Sequence, residues 1–257
     1  MALGGPNLRL ELEVPESWPD EAPGQFVMLH LGRSAGVVRH DPLLPRPMAI
    51  YRTRRGEPAG ARVDLLYKVV GRGTALMAAL RRGESVHLVG PLGRGFAEPR
   101  AGERALLVGG GTGIASLRGL AERAAQGGAS VVMLGARSAT DLMGREDFEA
   151  LGVELRIATE DGSAGRRGLV TELLAEALGA PGPSRVYACG PTPMMRAAAR
   201  LAAQGNAACQ VSLENRMACG FGVCLGCAVP RVGEGFDLVC RDGPVFSAER
   251  LRWEGLP

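Results

Sequence analysis

The sequence predicts a multidomain protein in three parts. An antiparallel β-barrel domain spans residues 1–100. A parallel-sheet, Rossmann-like α/β domain spans 101–207, and a small cysteine- and glycine-rich domain spans 208–257. Three observations predict it. Apolar and polar residues alternate before residue 100, the period of half-buried strands. After residue 101, short apolar runs alternate with helical periodicity, the pattern of a parallel sheet covered by helices. Four of the six cysteines lie between residues 219 and 240, in a stretch with little helical pattern.

In the first part, Leu8, Leu10, Leu12 and Val14 alternate with polar neighbours. Runs at 25–31, 48–52, 62–70 and 85–90 also read as strands, separated by Pro-, Gly- and Arg-rich turns. Five or six such strands predict a small antiparallel barrel or sandwich. In the second part, an apolar strand at 104–108 runs into Gly109, Gly110, Gly111, Thr112 and Gly113. Ile114, Leu117, Leu120, Ala121 and Ala124 follow at helical spacing. Further strands are expected at 130–134, 153–157 and 185–189. Further helices are expected around Val170, Leu173, Leu174, Ala177 and Leu178, and around Met195, Ala198, Leu201 and Ala202. Residues 205–208 close this unit.

Composition narrows the function classes. Glycine is the outlier, 38 of 257 residues, roughly twice the usual ~7%. The glycines cluster at 71–73, 90–95, 109–113, 162–168 and 220–226, without collagen's period of three. They mark loops where the backbone turns sharply or approaches a ligand. A net charge of +3 without long basic runs gives no argument for nucleic acid, and 4% aromatics leave little for base stacking. No stretch of ~18 apolar residues is present, and the first residues lack the basic and apolar regions of a signal peptide. A cytoplasmic protein is expected. Lys68 is the single lysine among 30 cations, and this bias implies no partner.

The strongest motif is Cys219-Gly-Phe-Gly-Val-Cys224-Leu-Gly-Cys227, with Cys240 following. Its first part has the plant-type [2Fe–2S] spacing. Gly220, Gly222 and Gly226 let a loop wrap closely and turn amides toward sulfur. A structural zinc site is the alternative, although zinc ligands usually come as two short pairs. The turn at Gly109–Gly113, between strand and helix, suits a pyrophosphate. It lacks the G-x-G-x-x-G spacing, with Ile114 and Ser116 in place, and a ligand-free connection is the alternative. Arg46 ahead of Pro47, Met48 and Ala49 suits a diphosphate. Leu66, Tyr67 and Lys68, then Gly73 and Thr74, offer a ring to lie against a flavin and a hydroxyl and amides for phosphate. Plain barrel strands joined by a turn are the alternative. Cys189, beside Gly190 and Pro191, either lines a nicotinamide pocket or ends a strand in the core. Cys209 is expected in the core, and His30, His40 and His87 in the barrel or on its surface. Glu160, Asp161 and Gly162 either touch nucleotide hydroxyls or form a solvated loop. Arg137 and Ser138 are placed to hold a 2′-phosphate, which keeps NADP open. The glycines at 162–168 carry no assignment.

In order, these motifs resemble the ferredoxin reductase-type flavoproteins: Pro23-Gly-Gln-Phe26, Arg46-Pro47, Leu66-Tyr67-Lys68, Gly90-Pro-Leu-Gly93, the 109–113 turn and Cys189-Gly-Pro191. The segment from Glu214 to Cys227, with Val239-Cys-Arg-Asp-Gly-Pro-Val-Phe246, is similar to the electron-transfer subunits of class B dihydroorotate dehydrogenases. The resemblance covers nearly all of the chain. It implies FAD held by Arg46, Pro47, Met48, Ala49, Leu66, Tyr67, Lys68, Gly73 and Thr74. It implies NAD at the glycine turn and at Cys189, Gly190 and Pro191, and a cluster ligated by Cys219, Cys224, Cys227 and Cys240. It implies an FMN-containing dihydroorotate dehydrogenase catalytic subunit as partner, two of each chain, in pyrimidine biosynthesis. NAD accepts a hydride and a cluster carries single electrons, so FAD belongs between them. No catalytic acid or base is expected, and nothing resembles an orotate site. The alternatives are a ferredoxin reductase-like subunit of a hydrogenase or ferredoxin:NADP oxidoreductase, and a zinc-stabilised nucleotide sensor. Two positions depart from the pattern: Ala49 stands for a Ser or Thr near the flavin, and Ser116 for a Pro after the glycine turn.

Overall fold

Residues that alternate in the sequence alternate between two faces in space. This is seen in a computed structural model that describes residues 7–31, 33, 34, 37, 38, 43–57, 60–127 and 130–257. The first part holds β1 (Asn7–Val14), β2 (Phe26–His30), the two-residue strands β3 (Arg33–Ser34) and β4 (Val37–Val38), β5 (Arg46–Glu57), β6 (Gly60–Lys68), α1 (Arg72–Ala78) and β7 (His87–Leu92). Five of these strands form one antiparallel sheet in the order β1-β6-β5-β2-β7. On β6, Ala61, Val63, Leu65 and Tyr67 face a core shared with Val27, Leu29 and Ile50. The opposite face carries Asp64, Leu66 and Lys68. Asp64 is fully buried, and accepts from Arg52 at 2.7 and 3.0 Å and from Arg54 at 3.0 Å. His30 and His87 pair across β2 and β7, away from the cleft described below. His40 lies outside the described residues.

The second part runs β8 (Arg104–Gly110), a 3₁₀ turn at Gly111–Gly113, α2 (Ile114–Gly127), β9 (Ser130–Ala136), a 3₁₀ turn at Ala139–Asp141, α3 (Arg145–Glu149), β10 (Glu154–Thr159), β11 (Arg166–Arg167), α4 (Val170–Leu178), β12 (Ser184–Cys189) and α5 (Thr192–Gln204). The expected strands and helices form where the apolar periodicity places them. The unit does not close at 207, however. β13 (Ala208–Ser212) continues the sheet parallel to β12. After the hairpin of β14 (Ala228–Pro230) and β15 (Phe236–Leu238), the chain returns and adds β16 (Val245–Ser247) antiparallel to β13. The result is seven strands in the order β11-β10-β9-β8-β12-β13-β16. Past the boundary expected at 208, β13 and β16 thus tie the C-terminal segment to this sheet. β13 and β16 are short and weakly apolar, and only their pairing defines them.

One core joins all three parts. Phe26 and Met28 of the first sheet pack in the same cluster as Leu106, Val108 and Val186 of the second, and Val229, Leu238 and Phe246 of the C-terminal segment. Polar contacts add to the junction of the two sheets. The Tyr51 hydroxyl donates to Asp147 at 2.8 Å, and Arg9 and Arg52 also pair with Asp147. The guanidinium groups of Arg9 and Arg118 lie 5.4 and 5.8 Å from the Tyr51 ring centroid. Among the described residues no helix is long and apolar enough to cross a membrane.

Candidate functional site

The parallel sheet changes direction between β8 and β12. The chain adds β9 and β10 to one side of β8, then crosses to add β12 and β13 on the other. Ligands of open α/β sheets bind outside the carboxyl ends of the strands at such a point. A cleft of about 810 Å³ lies there. The expected residues Lys68, Gly110, Gly111, Thr112, Gly190 and Pro191 line it. The two expected turns touch each other. A Cβ on Gly113 would fall 2.4 Å from the Cys189 carbonyl carbon and oxygen. Gly190, at φ +151°, would place a Cβ 2.7 Å from the Gly110 oxygen. Glycine is thus required by close backbone approach. With the N-terminal turns of α2 and α5 beside them, the residues fit a dinucleotide diphosphate.

The 162–168 glycines also acquire a role. Gly168 lines the cleft, and Gly165 turns where a Cβ would meet the Ile157 oxygen at 2.2 Å. Glu160 and Arg137 line the cleft as well. Among the lining residues that escaped the sequence reading as site groups are Asp141, Met143 and Glu214. Glu214 is exposed onto the cleft, with protein packed close beside it. Desolvation by that protein raises its pKa, partly offset by the Thr112 hydroxyl at 3.5 Å. Its place just ahead of the cysteine loop was its only sequence signal.

Two side chains take the buried alternative. Cys189 does not line the cleft. Its side chain is fully buried, its thiol lies 3.4 Å from the Ser212 carbonyl oxygen, and burial pushes its pKa up to about 12. Ser116, in place of the family's proline, spends its hydroxyl on that same thiol. Tyr67 is 4% exposed and turns into the first core, because strand alternation sends Leu66 and Lys68 to the other face. Leu66 and Ala49 join Tyr51, Ala115 and Met143 in a small apolar cluster between the sheets.

The expected flavin residues gather on the first sheet. Gly73 packs under Arg46, where a Cβ would fall 2.4 Å from the guanidinium Nε. That absent side chain brings the cation against the turn. Thr74 Oγ1 accepts from the Val70 and Gly71 amides at 3.0 and 3.1 Å and donates to the Gly71 oxygen, so it shapes the turn. Met48 packs toward the core of the first sheet, and Pro47 precedes it on β5. One guanidinium, one ammonium and a glycine turn are a donor set suited to a diphosphate.

The four cysteines stand as two pairs. Cys227 and Cys240 sulfurs are 3.2 Å apart, and the Cys240 amide donates to Cys227 at 3.4 Å. Cys219 interacts with the Cys224 side chain. Burial would raise the Cys219 thiol, but amides of Cys224, Phe221 and Val223 overcome it and hold it at about 6. Burial and the neighbouring Cys227 push Cys240 up to about 12. No three His, Cys, Asp or Glu side chains among the described residues converge on one metal position. A single zinc would need all four thiolates around it, whereas two thiolates for each of two irons match the pairs seen here. The donor set fits the binuclear cluster.

An antiparallel sheet carrying a diphosphate-type turn, a dinucleotide cleft and a four-cysteine loop define an NAD-linked, iron–sulfur oxidoreductase subunit of the ferredoxin reductase-like fold. Residues 107–200 match the oxidoreductase NAD-binding domain, and residues 214–252 match the iron-sulfur cluster binding domain of dihydroorotate dehydrogenase B. The chain is 39% identical over 253 residues to the dihydroorotate dehydrogenase B (NAD(+)) electron transfer subunit of Caldanaerobacter subterraneus, covering 95% of each. It is 41% identical over 233 residues to that of Bacillus caldolyticus, covering 88% of this chain and 85% of the other. A solved NADH-dependent reduced ferredoxin-NADP oxidoreductase superposes with a TM-score of 0.85 at 28% identity, over 100% of this chain and 88% of that one. The chain belongs to the family of dihydroorotate dehydrogenase B electron transfer subunits.

Proposed function

We propose that this chain passes electrons between a dihydroorotate-oxidising, FMN-containing catalytic subunit and NAD+, two copies of each chain forming the complex. One observation carries the reading. The nucleotide cleft and the cysteine loop share one sheet and one core, with β13 leading to Glu214 at the cleft and the chain running on from there to Cys219. When bound, NAD exchanges a hydride, the cluster single electrons and FAD either, which makes the flavin the converter between them. The chain's residues bind and orient. Arg46 and Gly73 hold the FAD diphosphate, and Ala49 and Leu66 offer its ring system an apolar wall. The 110–112 turn with Gly190 and Pro191 holds the dinucleotide, and Cys219, Cys224, Cys227 and Cys240 hold the cluster. Cys224 is solvent-exposed, and Phe221, Val223 and Leu225 beside it are 58%, 73% and 62% exposed. Apolar groups of this size at the surface mark a docking face, here for the catalytic subunit. All six cysteines are free, which fits a reducing cytoplasm.

The test is purification with iron, sulfide and flavin supplied. The expected product shows flavin and cluster absorbance, reduces dyes with NADH, and binds an FMN subunit that oxidises dihydroorotate. Phe221→Asp is expected to weaken that complex at least about tenfold while dye reduction continues. A colourless zinc protein without flavin would sink the reading. The likeness to the ferredoxin-NADP oxidoreductase favours a second reading, a subunit of that kind of complex, and the identity of the co-purifying partner decides between them.

A further inference from the structure

NAD and NADP share a diphosphate, so the glycine turns and helix N-termini treat them alike. Discrimination between them needs a difference in charge near the ribose, by attraction or by repulsion. Among the described residues lining the cleft, the cations are Lys68 and Arg137, and the acids are Asp141, Glu160 and Glu214. Both cations meet the same carboxylate. Lys68 Nζ donates to Asp141 Oδ1 at 3.0 Å, and Arg137 Nε lies 3.7 Å from Asp141 Oδ2. The Ser138 hydroxyl donates to Oδ2 at 3.4 Å. The hydrogen bond from Lys68 holds the Asp141 carboxyl below the usual carboxylate range, so it is charged at neutral pH. Glu160 stands in the neighbouring loop, which the Ala139 amide ties to the Asp141 turn by donating to Ser163 Oγ at 2.7 Å.

We infer that Asp141 is the residue that sets the preference for NAD over NADP. The inference rests on the cleft being the dinucleotide site. An added phosphate beside Arg137 meets the charges of Asp141 and Glu160, and the cation that would receive it is already shared with Asp141. Arg137 itself is 74% exposed at the side chain and has room to turn once that carboxylate is neutral. Asp141 thus acts by exclusion: it leaves binding of the shorter nucleotide intact and penalises the extra charge.

The experiment measures NAD+ and NADP+ affinity by calorimetry on the flavin- and cluster-loaded protein. Wild type is expected to bind NAD+ more tightly. Asp141→Asn is expected to tighten NADP+ by about tenfold or more, with NAD+ affinity changed less than about threefold. Adding Arg137→Ala to that variant is expected to remove the gain. Asp147→Asn loosens the same junction between the sheets without touching the cleft, and is expected to leave the ratio unchanged. An unchanged ratio in Asp141→Asn, or an equal shift in Asp147→Asn, overturns the inference while the nucleotide reading stands. Wild-type protein that binds neither nucleotide overturns both.

Discussion

Glu214 stands exposed on a cleft wall, where the protein beside it raises its pKa. Its raised pKa has a defined consequence for stability. Between the ordinary carboxyl value and the raised one, the folded state holds more protons than the unfolded state, so stability falls as pH rises through that window. Glu214→Gln removes the burial penalty on the charge and keeps an acceptor for Thr112. We expect its melting temperature to exceed that of wild type at pH 7–8, with the gap shrinking toward pH 4. A gap that is absent, or grows on acidification, would refute this account. At the same scale, the four-cysteine motif was legible because cysteine spacing is a local property of the chain. The orientation of Tyr67 was not. A tyrosine in an L-L-Y-K run reads as core or site alike, and only the register with β1 and β5 decides which face it takes.

Among the elements, β5 and β6 show how a buried charge is tolerated. Asp64 has no solvent of its own, and two arginines from the paired strand supply the hydrogen bonds that water would. The hydrogen bond to Asp64 is also the main cause raising the Arg54 pKa. Removing the carboxylate in Asp64→Ala should destabilise by about 2 kcal/mol, less than the ~3–5 of a fully enclosed pair because both arginines reach solvent. Urea denaturation checks it, and a loss below about 0.5 kcal/mol would show the pair to be neutral. Elements built from long apolar runs, β8, β9 and β12, were readable from the sequence. α3 and the Ala139–Asp141 turn were not, because their residues are polar and serve the contact with β1, β5 and β6.

For the whole molecule, the shared core makes the C-terminal segment part of the fold. Gly220 lies where a Cβ would meet Met28 at 2.4 Å, and Gly93 approaches the Gly243 oxygen. A chain ended at residue 207 loses β13 and β16 and the apolar residues that cover Met28, so it should aggregate on expression. Cys224→Ser changes only an exposed position. It should lose the cluster's absorbance and iron while keeping FAD and most NADH:dye reduction. Soluble, nucleotide-binding protein from the shortened chain would contradict this continuity. Loss of flavin in Cys224→Ser would do so for the cofactor assignment.

Local pattern alone carried the four cysteines at cluster spacing, the glycine turns after apolar strands and the alternating first hundred residues. These are local properties, readable because ligand spacing and periodicity depend on near neighbours. The tertiary structure alone decided which faces meet. It set Tyr67 and Cys189 in the core, drew Asp141 and Glu214 to the cleft, and ran one core through three apparent domains. Those outcomes depend on pairing between residues far apart in the chain, where burial and charge are shared and no local pattern records them.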